Sequence, residues 1–275
     1  MRIDSHQHFW NYDPEQHGWM NSDMTVLKKD YAPKDIEPLL ASCNLDGCVA
    51  VQASQTEKEN EFLLALCNNS SVIKGIVGWT DLQSEKVAEQ LTHYKQFEKI
   101  KGFRHIVQDE PDIDFMLRPA FLNGIKQLKS FDYTYDILIF PKHLPNTLTF
   151  IKQFPDQPFV IDHIAKPQIR NGQFADWKEN LGKVASFKNV YCKISGMVTE
   201  AVWNEWKAGD FTKYLDAVVE LFGTGRIMYG SDWPVCTLSS SYMEQYNIVC
   251  DYFAAFSSDE QHDLFGGNAK RFYNL

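Results

Sequence analysis

The chain has 275 residues, 44% hydrophobic and 23% charged, the balance of a globular protein long enough to bury a full core. Its 27 basic and 36 acidic side chains leave a net charge of −9, which argues against nucleic acid or an anionic membrane as partner, because both need basic surface. No run of about 18 apolar residues offers a membrane span, the start at Met1-Arg2-Ile3-Asp4 lacks the apolar stretch of a signal peptide, and the six cysteines contain no Cys-x-x-Cys pair, so a cytoplasmic protein with free thiols is expected.

The first predicted strand, Arg2–His8, carries the sequence His6-Gln7-His8. Alternate side chains of a strand share a face, so His6 and His8 project together with Asp4 behind them. Two imidazoles on a rigid strand make half of a divalent-metal site, although His-x-His alone also arises by chance. The following segment, Asn11–Pro33, is long for a loop and holds Trp19, Met20 and Tyr31; it is expected to fold over the substrate pocket.

Apolar spacing then predicts alternating elements. A helix over Asp35–Asn44 leads to a strand over Gly47–Ala53, with Gln52 at its end. Helix Glu59–Asn68 leads to strand Lys74–Trp79. Helix Val87–Phe97 precedes strand Ile100–Val107, which carries Arg104 and His105. Helix Pro119–Phe131 precedes strand Tyr133–Ile139, with Asp136 among apolar neighbours. Helix Leu148–Phe154 is followed by strand Phe159–Ile164, which ends in Asp162-His163 and then Lys166-Pro167. Helix Trp177–Phe187 gives way to strand Val190–Gly196, with Lys193 and Ser195. Helix Tyr214–Phe222 is followed by the eighth strand, Ile227–Trp233, which ends in Ser231-Asp232-Trp233-Pro234. Helix Tyr242–Phe256 and a capping box at Ser258–Gln261 open the C-terminal part. The helix after that box should end near Gly266-Gly267, before a last turn over Asn268–Tyr273.

Eight strands, each followed by a helix, predict a (β/α)8 barrel as a single domain over residues 1–275. An open doubly wound sheet would want a glycine-rich loop after the first strand, and Asp4–Trp10 has no glycine. In a barrel the chemistry sits at the C-terminal strand ends, where the polar residues gather. His6, His8, His163 and Asp232 are the available metal ligands, and strands one and eight are neighbours in a closed barrel. Asp232 has a second role open to it, as general base on water. Arg104 suits a carboxylate or carbonyl oxygen; Lys166, Lys193 and His105 offer similar chemistry. There is no Gly-x-Ser-x-Gly elbow and no phosphate-binding loop, and Cys236 reads as apolar filler.

Taken together, these motifs resemble the amidohydrolase superfamily. The resemblance lies in Asp4-x-His6-x-His8-x-Trp10, Ile161-Asp162-His163-x-Ala165-Lys166-Pro167, Gly230-Ser231-Asp232-Trp233-Pro234 and the ending Asn268-Ala269-x-Arg271-Phe272-Tyr273, and it spans the chain. With Gly102-Phe103-Arg104-His105 it is nearest the amidohydrolase 2 branch of L-fucono- and L-rhamnono-lactonases. The resemblance implies hydrolysis of a small-molecule sugar lactone, with Asp232 taking a proton from water and returning it to the ring oxygen. His163 and Arg104 would be the other catalytic groups. Trp10, Gln52, Trp79, Arg104, His105, Lys166 and Trp233 would bind substrate, the tryptophans, with Trp19, suiting the apolar face of a sugar ring. One divalent metal, zinc first, is implied at His6, His8, His163 and Asp232. Some lactonases of the branch work without a metal, so its need in turnover stays open. A bridging lysine on strand four is absent, which argues against two metals. Two other readings remain: a non-oxidative decarboxylase of aromatic acids, and a non-catalytic binding barrel. Homo-oligomerisation is left open.

Overall fold

In the computed structural model, which describes residues 1–275, eight parallel strands run in sequence order: β1 (Ile3–Gln7), β2 (Gly47–Val51), β3 (Ile73–Gly78), β4 (Ile100–His105), β5 (Thr134–Ile137), β6 (Phe159–Ile161), β7 (Val190–Ile194) and β8 (Ile227–Tyr229). Most strand residues are buried, as expected of strands covered by helices outside and packed side chains inside. The last strand returns to the first beyond its formal end. The His8 amide donates to the Trp233 carbonyl at 2.7 Å, and the Asp232 amide donates to the His6 carbonyl at 2.8 Å. The sheet is therefore a nearly closed (β/α)8 barrel, and that closure brings the ends of β1 and β8 side by side.

All eight strands lie where the apolar runs place them; six end one or two residues before the expected end, and two stop three or four residues early. β6 ends at Ile161 because His163, Ile164, Ala165 and Lys166 all adopt left-handed backbone angles. β8 ends at Tyr229, three residues before Asp232 takes a φ of 58°.

The helices are α1 (Pro33–Ser42), α2 (Glu57–Asn69), α3 (Val87–Tyr94), α4 (Pro119–Ser130), α5 (Leu144–Ile151), α6 (Ala175–Ala185), α7 (Met197–Glu200), α8 (Gly209–Phe222), α9 (Tyr242–Phe253), α10 (Ser258–His262) and α11 (Asn268–Tyr273). Four differ most from the sequence reading, among them α8, which begins at Gly209, five residues before Tyr214. α5 begins four residues before Leu148, with Pro145 in its first turn, a position where its missing N–H costs nothing. The capping box before α10 uses Ser257 and Glu260, one residue earlier than expected. The four-residue α7, just after β7, has no periodic signal long enough to detect.

A second, smaller apolar cluster fills the bottom of the barrel: Ile3, Val49, Val51, Val77, Val160 and Met228 meet Ala269, Phe272 and Tyr273 of α11. The C-terminal helix thus plugs the N-terminal mouth. At the other mouth the Asn11–Pro33 segment folds back, with Trp10 and Tyr31 exchanging backbone hydrogen bonds at 3.1 and 2.9 Å. No helix is long and apolar enough to cross a membrane.

Candidate active site

The C-terminal mouth opens into a cavity of about 580 Å³. At its floor stand His8, His163, Arg104 and Asp232, with His6 buried directly beneath. The Asp232 Oδ1 lies 3.4 Å from His8 Nε2, 3.8 Å from His6 Nε2 and 3.8 Å from His163 Nε2. His6 Nε2 and His8 Nε2 are 3.2 Å apart. Residues far apart in sequence are thus gathered around one point.

The outward-facing nitrogens are set by partners on the other side of each ring. His8 Nδ1 lies 2.8 Å from the Val51 carbonyl and must donate to it, which fixes the ring with Nε2 toward Asp232. His163 Nδ1 lies 2.8 Å from Ser195 Oγ. Burial holds both His6 and His163 well below the ordinary imidazole range, so both are neutral at pH 7. Burial works to raise the Asp232 carboxyl, but the imidazoles of His163 and His8 and the Lys166 ammonium bring it below its ordinary value. The result is an ionised carboxylate beside the neutral imidazoles of His6 and His163.

Backbone geometry rather than rotamer choice aims His163 and Lys166. The left-handed run His163–Lys166 contains no glycine, and left-handed backbone costs an L-residue roughly 1–2 kcal/mol. Opposite the run sits Gly196, itself at φ 63°; a Cβ there would stand 2.7 Å from His163 Nδ1. Such strain persists where surrounding packing over-determines it, most often at functional sites.

Below His6 lies a buried ionic layer. The Lys193 ammonium, fully enclosed, is 2.5 Å from Asp136 Oδ2, 3.1 Å from Asp162 Oδ1 and 3.1 Å from His6 Nδ1. The Tyr273 hydroxyl, from α11, donates to Asp136 Oδ2 at 2.7 Å. Burial pushes Asp136 up to about 6 against the pull of Lys193. Burial would also raise Asp162, but Lys193, His6 and Arg104 take it well below its ordinary range. Arg104 completes the layer: Nη1 reaches Asp162 Oδ2 at 3.1 Å and His6 Nε2 at 3.2 Å, while Nη2 donates to the Gln52 carbonyl at 2.6 Å and to its Oε1 at 3.0 Å. Lys193 is therefore walled off from the cavity and supports the floor instead of facing it.

The residues singled out in the sequence divide into those in the cavity and those outside it. Trp10, Arg104, Lys166, His8, His163 and Asp232 line it. Gln52 does not; it is fully buried and holds Arg104. His105 faces outward, stacked on Phe115 with centroids 4.5 Å apart and paired with Glu110 at 2.7 Å. Trp79 turns the same way, its indole N–H 3.5 Å from His105 Nδ1. Trp233 packs between Phe9 and Tyr31. Arg170, Glu200 and Trp203, from the loops after β6 and β7, line the cavity without having been singled out. Only their place downstream of a strand could have drawn attention to them.

His6, His8 and Asp232 place their donor atoms within 4.8 Å of one another, and His6, Asp162 and His163 form a second such group. Imidazole nitrogens and one carboxylate oxygen, with the outer His8 and His163 nitrogens anchored, fit one divalent ion. The Arg104 guanidinium stands 3.2 Å from His6 Nε2 and would have to yield that nitrogen to the ion.

An ionised carboxylate beside neutral imidazoles, at the mouth where barrels carry their chemistry, is the arrangement of a hydrolytic (β/α)8 enzyme. The chain belongs to the amidohydrolase family, whose model matches residues 3–275. It is 38% identical to an L-fucono-1,5-lactonase of Burkholderia multivorans, with 100% of this chain and 96% of that protein covered. An L-fucono-1,5-lactonase of Burkholderia ambifaria is 33% identical, again over 100% of this chain and 96% of its own length. The crystal structure of an amidohydrolase from Burkholderia multivorans with bound zinc superimposes with a TM-score of 0.96 at 38% identity, covering 100% of this chain and 99% of that one.

Proposed function

We propose that this protein opens the ring of a sugar-acid lactone, an L-fucono-lactone-like aldonolactone, with Asp232 as the base that activates water. The observation that carries the reading is the ionised Asp232 carboxylate on the cavity floor, within 3.8 Å of the ring nitrogens of His6, His8 and His163. Full-length similarity to two L-fucono-1,5-lactonases supports the substrate class.

Asp232 takes a proton from water as the oxygen attacks the lactone carbonyl. The C–O bond to the ring oxygen then breaks, and Asp232 returns the proton to that oxygen, leaving a hydroxy acid that ionises at neutral pH. Arg104, which lines the cavity, is placed to meet the charge that develops on the carbonyl oxygen. His6, His8, His163 and Asp232 would hold one divalent ion, zinc in this proposal, whose Lewis acidity would polarise the same oxygen. Gln52 acts through Arg104, and Trp10 with Trp19 offers apolar surface to a sugar ring. A cytoplasmic setting, in keeping with six free thiols, belongs to the same reading.

The test is a pH-indicator assay of the purified protein on hexono- and pentono-lactones, with zinc and with chelator. Proton release on an aldonolactone is expected, strongest on a deoxyhexonolactone. Silence on every lactone by folded, zinc-supplied protein would sink the proposal, and loss of an aromatic acid's carboxylate would replace it with a decarboxylase.

A further inference from the structure

Above the floor, the cavity wall carries two charges that no protein group answers. Glu200, the last residue of α7, lines the cavity, and its carboxylate has neither a hydrogen bond nor an ion pair. Lys166 lines the same cavity, with its ammonium 5.6 Å from the centre of the Phe140 ring and without a carboxylate partner. Burial raises the Glu200 carboxyl above its ordinary range against the pull of Lys166 and Arg170, and neither cation pairs with it. An unpaired carboxylate that is partly buried is costly unless something else supplies its hydrogen bonds.

The mount beneath Glu200 is rigid. The Thr199 carbonyl accepts from Arg170 Nη2 at 2.8 Å and from the Trp203 indole N–H at 3.0 Å, so α7 is pinned from both sides. Arg170 is occupied with backbone oxygens and leaves the Glu200 carboxylate free. An acceptor on a held helix and a donor lining the same cavity suit a group that both donates and accepts. A hydroxyl does both, and a sugar ring offers several.

We propose that Glu200 determines specificity by reading the ring hydroxyls of the substrate. Its carboxylate accepts from one hydroxyl or a vicinal pair, while Lys166 donates to their oxygens. The inference rests on the lactone reading and deepens it, naming a polyhydroxylated ring over a simple cyclic ester. Glu200 makes no contact with the reacting atoms in this account.

The experiment compares kcat/KM for a fully hydroxylated hexono-1,5-lactone and for unsubstituted δ-valerolactone, in the wild type, Glu200→Gln and Glu200→Ala. Gln keeps the side-chain volume and one acceptor oxygen, which guards against misfolding. Hydrogen bonds to a charged group imply that the ratio of the two kcat/KM values falls about 10- to 100-fold in Glu200→Ala, and less in Glu200→Gln. A ratio within about twofold of the wild type in both variants overturns the inference, even if both rates fall together. A wild type that opens neither lactone overturns the lactone reading itself, a distinguishable result.

Discussion

His163 and Asp232, the two groups that close the cavity floor from β6 and β8, both sit in left-handed backbone with no glycine to ease it. Their positions are set by what surrounds them, and Gly196 is the clearest example. Alanine there would carry both the cost of φ 63° and a Cβ 2.7 Å from the His163 ring. Gly196→Ala should therefore lower the unfolding free energy by about 2 kcal/mol or more, read by denaturant titration, and slow turnover by displacing His163. Unchanged stability would show that the loop yields freely. Residue direction is also where the sequence was hardest to read. Arg104 and His105 are adjacent on β4, so alternation alone forbids both from facing the barrel interior. Which one turned inward followed from the partners, Gln52 and Asp162, and not from the motif. Trp79 and Trp233 misled for the same reason: an aromatic near a strand end packs as readily against the outer helices or the lid as into the cavity.

At the scale of elements, β-branched runs made all eight strands legible, because strands buried on both faces read as continuous apolar stretches. Their ends were not legible, since the turn at His163–Lys166 has no local signature. Nor was α7, which places Glu200. Two elements offer tests of how the scaffold is held. α2 presents Glu59, whose Oε1 accepts the Ala53 amide at 2.8 Å and whose carboxyl burial pushes from 4.5 up to about 7. Between those two pH values the folded chain keeps a proton that the unfolded chain releases, so this group stabilises at low pH and its contribution is lost as pH rises through 7. Glu59→Gln removes that titration. Relative to wild type, the variant should gain about 1–3 kcal/mol of unfolding free energy between pH 4.5 and 7.5, and the difference should be flat outside that window. A pH-independent difference would contradict the assignment. At the barrel's other end, α11 donates the Tyr273 hydroxyl to Asp136, beneath Lys193 and His6. Tyr273→Phe leaves that buried carboxylate short of a donor and should cost about 1–3 kcal/mol in thermal or chemical unfolding. A neutral effect would mean that Lys193 alone satisfies Asp136.

Across the whole molecule, the barrel holds a stack of polar layers from bottom to top: Tyr273 with Asp136, then Lys193 and Asp162, then His6 and Arg104, then His8, His163 and Asp232 under the open cavity. The sequence revealed the upper layers because their residues fall in motifs at strand ends. It did not reveal how Lys193 and Asp136 serve the floor from below, since a lysine and an aspartate on separate strands carry no sign of pairing until the barrel closes. The stack pairs opposite charges in a buried interior and leaves Asp232 as the ionised carboxylate at the cavity floor. The most direct measurement is single-turnover lactone hydrolysis by Asp232→Asn beside the wild type, with calorimetric binding of the aldonate product as a check on the site. A rate loss of at least about a hundredfold is expected, with product binding retained. A variant that keeps its rate within about threefold, while folded and binding product, would remove Asp232 as the base.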